Sequence, residues 1–186
     1  AGRTQLDAAE VYGILDAYKI PVAKWRMAAS PAEAAQAAAK VGFPVVLKAD
    51  AASVVHKSDT GGVALNLASA SAVKNAAARM KKAISASDLR FFVQKFLPGG
   101  IELIMGAKAE EGLGHAVVFG LGGVYVEVMK DVVFNLTPVS AAEAREMLGV
   151  IQAAPLLSGV RGKKGVNRER RVEILQRLSQ LVTDLP

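Results

Sequence analysis

The sequence predicts a protein of two α+β lobes, and three observations carry the prediction. Helical and extended segments alternate before residue 90. Short strands then crowd residues 90–136. A Pro-Gly-Gly bend at 98–100 follows the extended run Gln94–Pro98, which suits a hinge. At 186 residues the chain is long enough to bury a core, in one domain or in two small lobes. Alanine fills much of a sequence that is 52% hydrophobic but only 5% aromatic, so the core is built largely from small side chains.

Taken in order, Asp7 can cap a helix over Ala8–Tyr18, where Val11, Ile14, Leu15 and Tyr18 recur at helical spacing, and Ile20-Pro21 ends it. Val22–Met27 reads as a short strand. Ser30-Pro31-Ala32-Glu33 supplies an N-cap, a proline in the first turn and a capping-box glutamate for an alanine helix that runs to Val41 and is closed by Gly42. Phe43–Ala49 is apolar except for Lys48 and reads as a buried strand. Val63–Leu67 is a further strand and Ser71–Ile84 a helix. Arg90–Leu97, Gly100–Ala107, Gly114–Leu121, Val124–Val128 and Val132–Leu136 are strands at the spacing of an antiparallel meander. Ser140–Leu148, with Ser140 and Glu143 as a capping box, and Arg168–Val182 are helices.

The absence of cysteine excludes a disulfide scaffold and thiolate zinc sites. The two histidines, His56 and His115, lie too far apart in sequence to suggest a histidine-rich metal centre. The longest apolar runs, Phe43–Leu47 and Ala116–Leu121, fall far short of the ~20 residues of a membrane span. The chain opens at Ala1 with nothing resembling a signal peptide, so a cytoplasmic protein without a membrane partner is expected, in the form of a piece cut from a longer chain. The formal charge is +6, and residues 160–178 carry a net +5 of it: Arg161, Lys163, Lys164, Arg168, Arg170, Arg171 and Arg177 stand against Glu169 and Glu173. No aromatic interleaves them for base stacking. The segment therefore reads as a solvated helix face rather than a polyanion site, and no nucleic-acid partner is expected.

Four stretches can carry chemistry. Lys48 ends a buried strand, where an ammonium costs several kcal/mol unless it meets an anion or snorkels to water. In residues 54–63, Gly61 and Gly62 free the backbone to turn toward a phosphate, Ser58 and Thr60 add hydroxyls, and Lys57 adds charge. His56 beside them is either a nucleophile toward phosphorus or incidental to a glycine hairpin. In residues 92–103, the run through Gln94, Lys95, Phe96 and Leu97 can offer backbone groups to a purine edge and Glu102 can take ribose hydroxyls; as an isolated pattern it is a hairpin. In residues 119–131, Gly120, Gly122 and Gly123 lack the third glycine and the following helix of a dinucleotide fingerprint. Glu127 and Asp131 share one side of a strand, where they can orient Mg2+ or a histidine, or face solvent.

In their order and wording these stretches resemble the ATP-grasp domain of NDP-forming acyl-CoA synthetases, the beta-subunit part of ADP-forming acetate–CoA ligases. The resemblance rests on "VGFPVVLKADAASVVHKSDTGGVALNL", "FFVQKFLPGGIELIMGAKAEEGLGHAVVFGLGGVYVEVMKDVVFNLTPVS" and "APLLSGVRG", and it covers nearly the whole chain. It implies the ATP-grasp fold, with residues 1–19 as a leading helix packing on the second lobe, 20–97 as the first lobe and 98–186 as the second. It also implies ATP or ADP with Mg2+ as cofactors and a CoA-binding partner module, on another subunit or the same longer chain, that carries acyl-CoA and a second phosphohistidine. By the same resemblance Lys48 holds nucleotide phosphates and His56 exchanges phosphoryl with the nucleotide. Ser58, Gly61 and Gly62 form the loop beside it, and Gln94 to Leu97 meet adenine. Glu102 meets ribose, while Gly122, Gly123, Glu127 and Asp131 lie near the phosphates.

Three positions depart from the family. Tyr12 stands where lysine is frequent and Lys19 where glycine is usual, which weighs against a phosphate contact from the first helix. His115 replaces a common proline and reads as a surface or structural histidine. Family members also continue past Leu185-Pro186 into an acidic stretch that helps hold Mg2+, so the second lobe is expected to be incomplete and this chain, alone, incompetent for turnover. Two other functions remain open at this level: a non-catalytic ATP-grasp regulatory module of a GNAT-type acetyltransferase, and a structural remnant.

Overall fold

A computed structural model describes residues 6–51, 61–123, 130–159 and 165–185. They fall into two compact units, one formed by residues up to 17 together with 21–98, the other by 18–20 and the residues from 99 onward.

The first unit contains α1 (Ala8–Ala17), β1 (Trp25–Ala28), α2 (Pro31–Val41), β2 (Val45–Asp50), β3 (Val63–Leu67), α3 (Ala70–Ala83) and β4 (Arg90–Lys95). Its sheet has the order β1-β4-β2-β3, and every neighbouring pair is antiparallel. Local chemistry sets the helix starts. Ser30 accepts from the Glu33 N–H at 3.2 Å, and the Glu33 carboxylate reaches back to the Ala29 N–H at 3.1 Å, one residue before the N-cap. Gly42 closes α2 at φ 92 with its N–H on the Ala38 carbonyl. In α1, Asp7 accepts the Glu10 N–H and Glu10 accepts the Asp7 N–H, a reciprocal cap.

Alternation along β2 and β4 divides the sheet's two faces. Val45, Leu47, Ala49, Phe91 and Val93 turn toward the alanine-rich sides of α2 and α3 and form a closed core with them. Lys48, Phe92 and Gln94 take the opposite face. There Tyr12 of α1 packs edge-on against Trp25, with ring centroids 5.4 Å apart, and tilted on Phe92 at 4.8 Å, while Trp25 stacks on Phe92 at 5.4 Å. This corrects the expected place of the leading helix: the Tyr12 ring and an Asp7–Arg90 ion pair at 2.8 Å hold α1 in the first unit.

The second unit is a meander of β5 (Leu103–Glu110), β6 (Gly114–Leu121) and β7 (Val132–Leu136), followed by α4 (Ala141–Val150), α5 (Ala154–Ser158) and α6 (Arg168–Asp184). Val117, Phe119 and Leu121 of β6 pack with Ala144, Met147 and Leu148 of α4 and with Val172 and Leu175 of α6. The Ser140–Glu143 capping box forms as the sequence predicts. β5 starts at Leu103 rather than Gly100 because Gly99 and Gly100 hold φ values of 70 and 97, outside the strand region. The expected strand at 124–128 lies outside the described residues, and the short α5 has no counterpart in the sequence reading.

Within α6 the basic residues are partly spent on partners. Glu173 pairs with Arg170 and Arg177, and Glu169 accepts two hydrogen bonds from Arg145 of α4 at 2.9 and 3.1 Å. Arg177 also donates to the Tyr18 and Lys19 carbonyls at 3.2 and 3.0 Å. Lys19 itself sits at φ 54, a left-handed conformation that glycine adopts without strain.

Candidate functional site

Lys48 is the first feature to be explained. Its ammonium donates to Gln94 Oε1 at 3.1 Å and lies 5.8 Å from the centroid of the Phe92 ring, a cation–π contact. Gln94 Nε2 in turn donates to the Tyr12 hydroxyl at 2.7 Å. A buried strand thus delivers its one cation into a half-buried polar cluster floored by aromatic rings, which meets the cost of placing charge there. Burial pushes the Tyr12 phenol above its ordinary value, with the Gln94 hydrogen bond opposing.

The run after Gln94 is more committed than the sequence suggests. The Lys95 ammonium caps the end of α2, donating to the carbonyls of Gly42 and Phe43 at 3.0 and 2.6 Å. The Lys95 N–H goes to the Lys24 carbonyl and the Phe96 N–H to the Pro44 carbonyl. Among the described residues the Leu97 N–H has no backbone partner, so of these three amides it is the one able to meet a purine edge. Gly61 takes φ 68, and the Gly62 carbonyl accepts the Ala49 N–H at 2.7 Å, fastening the end of β2 to the start of β3. His56, Ser58 and Glu127 lie outside the described residues.

In the second unit each glycine of the Gly-Leu-Gly-Gly stretch answers a close approach. A Cβ on Gly120 would lie 2.2 Å from the Asp131 carbonyl oxygen, and one on Gly122 would lie 2.9 Å from the Leu103 carbonyl carbon. The Gly122 N–H donates to the Glu102 carbonyl at 2.8 Å. At Gly123, with φ 62, a Cβ would stand 2.0 Å from Glu102 Oε2, so the Glu102 carboxylate rests against the bare turn. These glycines let strands and the Glu102 side chain close up; the Gly122 amide is spent on backbone.

Asp131 behaves differently from a carboxylate facing solvent. It is 5% exposed, and its two oxygens accept the N–H groups of Gln152 and Ala153 at 2.7 and 2.8 Å, pinning the turn that leads into α5. Among the described residues no group of three His, Cys, Asp or Glu side chains could hold a metal ion.

Sequence reasoning missed the Tyr12, Trp25 and Phe92 rings as the floor of the Lys48 cluster. The signal was present: Phe92 and Gln94 lie two residues apart on the strand that pairs with β2, which places both on the Lys48 face.

A family model described as an ATP-grasp domain matches residues 1–186. The chain belongs to the ATP-grasp family. Over 176 residues this ATP-grasp chain is 43% identical to the 4-hydroxybutyrate–CoA ligase (ADP-forming) of Nitrosopumilus maritimus, the match taking in 92% of the chain and 25% of that enzyme. It is 37% identical over 183 residues to the beta subunit of acetate–CoA ligase (ADP-forming) I of Pyrococcus furiosus, which takes in 95% of the chain and 78% of the subunit. It therefore spans about a quarter of the first relative and most of the second. Among solved structures, acetyl-coenzyme A synthetase 1 of Ca. Korarchaeum cryptofilum, in complex with coenzyme A and Ca-AMPCP, superposes with a TM-score of 0.90 at 37% identity, covering 98% of this chain and 82% of that one. Another form of that enzyme holds Mg-AMPPCP, with a phosphohistidine segment pointing towards the nucleotide binding site. For the ATP-grasp chain itself, no helix among the described residues is long and apolar enough to cross a membrane.

Proposed function

We propose that this chain is the nucleotide-binding ATP-grasp part of an ADP-forming acyl–CoA ligase, where it moves a phosphoryl group between a histidine and ADP. The observation that carries the reading is its match, over nearly its whole length, to most of an acetate–CoA ligase beta subunit. The Lys48 cluster supports it, because phosphoryl transfer asks a protein chiefly to position phosphates and offset their charge, and Lys48 is a half-buried cation carried by a buried strand, suited to that task.

In this reading Lys48 binds nucleotide phosphate oxygens, the Leu97 N–H meets the base, and Glu102, resting against Gly123, takes the ribose hydroxyls. His56 is the acceptor: its ring nitrogen forms a P–N bond to the γ-phosphorus of ATP as the bond to the β–γ bridging oxygen breaks, and ADP leaves. The reverse step makes ATP. Mg2+ accompanying the nucleotide offsets phosphate charge. A CoA-binding module, on another subunit or a longer chain, supplies acyl-CoA and the second phosphohistidine, and such chemistry on ATP belongs in the cytoplasm.

The test is phosphorylation by γ-labelled ATP. Acid-labile, base-stable label on the wild-type chain and none on His56→Asn is expected. Label that survives His56→Asn removes His56 from the relay, and nucleotide binding with no label at all favours the regulatory module.

A further inference from the structure

We infer that Tyr12 is a positioning residue for Lys48: its hydroxyl fastens the far end of the Gln94 carboxamide, whose oxygen meets the Lys48 ammonium. The inference rests on the reading of Lys48 as the phosphate-holding lysine.

A carboxamide has one acceptor end and one donor end of nearly equal size, and left alone it can flip. The Lys48 ammonium only donates, so Gln94 must turn Oε1 toward it, at 3.1 Å. The Nε2 end then points at Tyr12, 2.7 Å away, and needs an acceptor, which a phenol oxygen provides. Leucine or phenylalanine at position 12 would leave that end without this partner and free the carboxamide to shift away from the Lys48 ammonium.

The scaffold around the chain of bonds is fixed independently. The Tyr12 ring packs on Trp25 and Phe92, and α1 is anchored by the Asp7–Arg90 pair. Tyr12 is thus held by its ring, which leaves its hydroxyl as the element acting on Gln94.

The test compares Tyr12→Phe in two backgrounds of the full chain, measuring Mg-ATP and ADP affinity by titration calorimetry. Tyr12→Phe keeps the ring and loses the hydroxyl, and nucleotide affinity is expected to fall about three- to tenfold, the scale of one hydrogen bond. In a Gln94→Met background there is no carboxamide for the hydroxyl to fasten. There Tyr12→Phe is expected to change affinity less than about twofold, although Gln94→Met itself weakens binding by taking an oxygen from Lys48. A merely structural role for the hydroxyl would give the same loss in both backgrounds, and that result overturns the inference. So does an unchanged affinity for Tyr12→Phe in the Gln94 chain. Lys48→Met tells this failure from failure of the functional reading: if Lys48→Met leaves nucleotide affinity intact, Lys48 is not the phosphate lysine and the inference falls with it. Should Tyr12→Phe not fold, Tyr12→His, which retains a ring and an acceptor nitrogen, is expected to keep affinity above that of Tyr12→Leu; equal affinities overturn the inference.

Discussion

Replacing Asp131 by alanine is expected to loosen the second unit rather than to remove a metal ligand. The carboxylate is 5% exposed and each oxygen accepts one backbone N–H, from Gln152 at 2.7 Å and Ala153 at 2.8 Å. A hydrogen bond to a charged group contributes about 1.5–3 kcal/mol, and a buried donor left without a partner costs about 1–3 kcal/mol. Two such bonds sharing one carboxylate are not fully additive, so a loss of about 3 kcal/mol is expected, or a fall in melting temperature of about 6–12 °C for a chain of this length. Urea denaturation followed by far-ultraviolet circular dichroism reads the loss, and amide exchange at residues 152 and 153 should accelerate. Asp131→Asn, nearly the same shape, turns an NH2 group toward one of the two N–H donors and should lose a similar amount, which separates hydrogen bonding from packing. A stability loss below about 1 kcal/mol with unchanged exchange would refute the clamp. Metal ligation by Asp131 would instead leave apo stability intact in Asp131→Asn and abolish stabilisation by Mg2+.

Two further outcomes follow from the geometry. Gly123→Ala puts a methyl group where Glu102 Oε2 now rests and forces a non-glycine residue to φ 62, so Glu102 must move. If Glu102 takes ribose hydroxyls as proposed, the preference for ATP over 2′-deoxy-ATP, read by competitive titration, should fall by about tenfold, the scale of one charge-assisted hydrogen bond. The second outcome concerns acid stability. The Glu10 N–H, and then the Arg90 side chain, hold the Asp7 carboxyl below its ordinary value of 3.8. A carboxyl depressed in the folded state adds stability that is present above the unfolded value and is lost as pH falls through the folded one. Asp7→Asn should therefore be less stable than wild type near neutrality and should converge with it below pH 3.8, as followed by urea midpoints across that range; parallel curves would count against the pairing.

Legibility in the sequence followed the range of the interaction. Caps at Asp7, Ser30 and Ser140 are local, involving partners three or four residues away, and were readable from residue type and spacing. That β2 is a buried strand was equally readable, from an apolar run interrupted only at Lys48. The place of α1 was not: the contacts that decide it join Asp7 to Arg90 and Tyr12 to Phe92, about 80 residues apart, and the sequence shows only that one side of the helix is apolar. The clamp by Asp131 is hidden for the same reason, because nothing near residue 131 announces a turn at 152 and 153. In the Gly-Leu-Gly-Gly stretch the sequence suggested only a nearby phosphate, whereas the described geometry sets neighbouring backbone and the Glu102 carboxylate against the glycines, approaches that no local pattern announces.

The alanine helices of the first unit have a consequence for how this chain tolerates change. Ala34, Ala38 and Ala77 are completely buried and Ala76 nearly so, where α2 packs on α3 above β2 and β4. Cores filled by leucine or phenylalanine suffer most when a side chain is made smaller. Here the smallest side chain already occupies the contact, and any larger one must push two helices apart or lift them off the sheet that carries Lys48, at about 1–3 kcal/mol per inserted group. A map of permitted substitutions should therefore be inverted along these helices: alanine, elsewhere the default replacement, becomes the residue that resists being replaced.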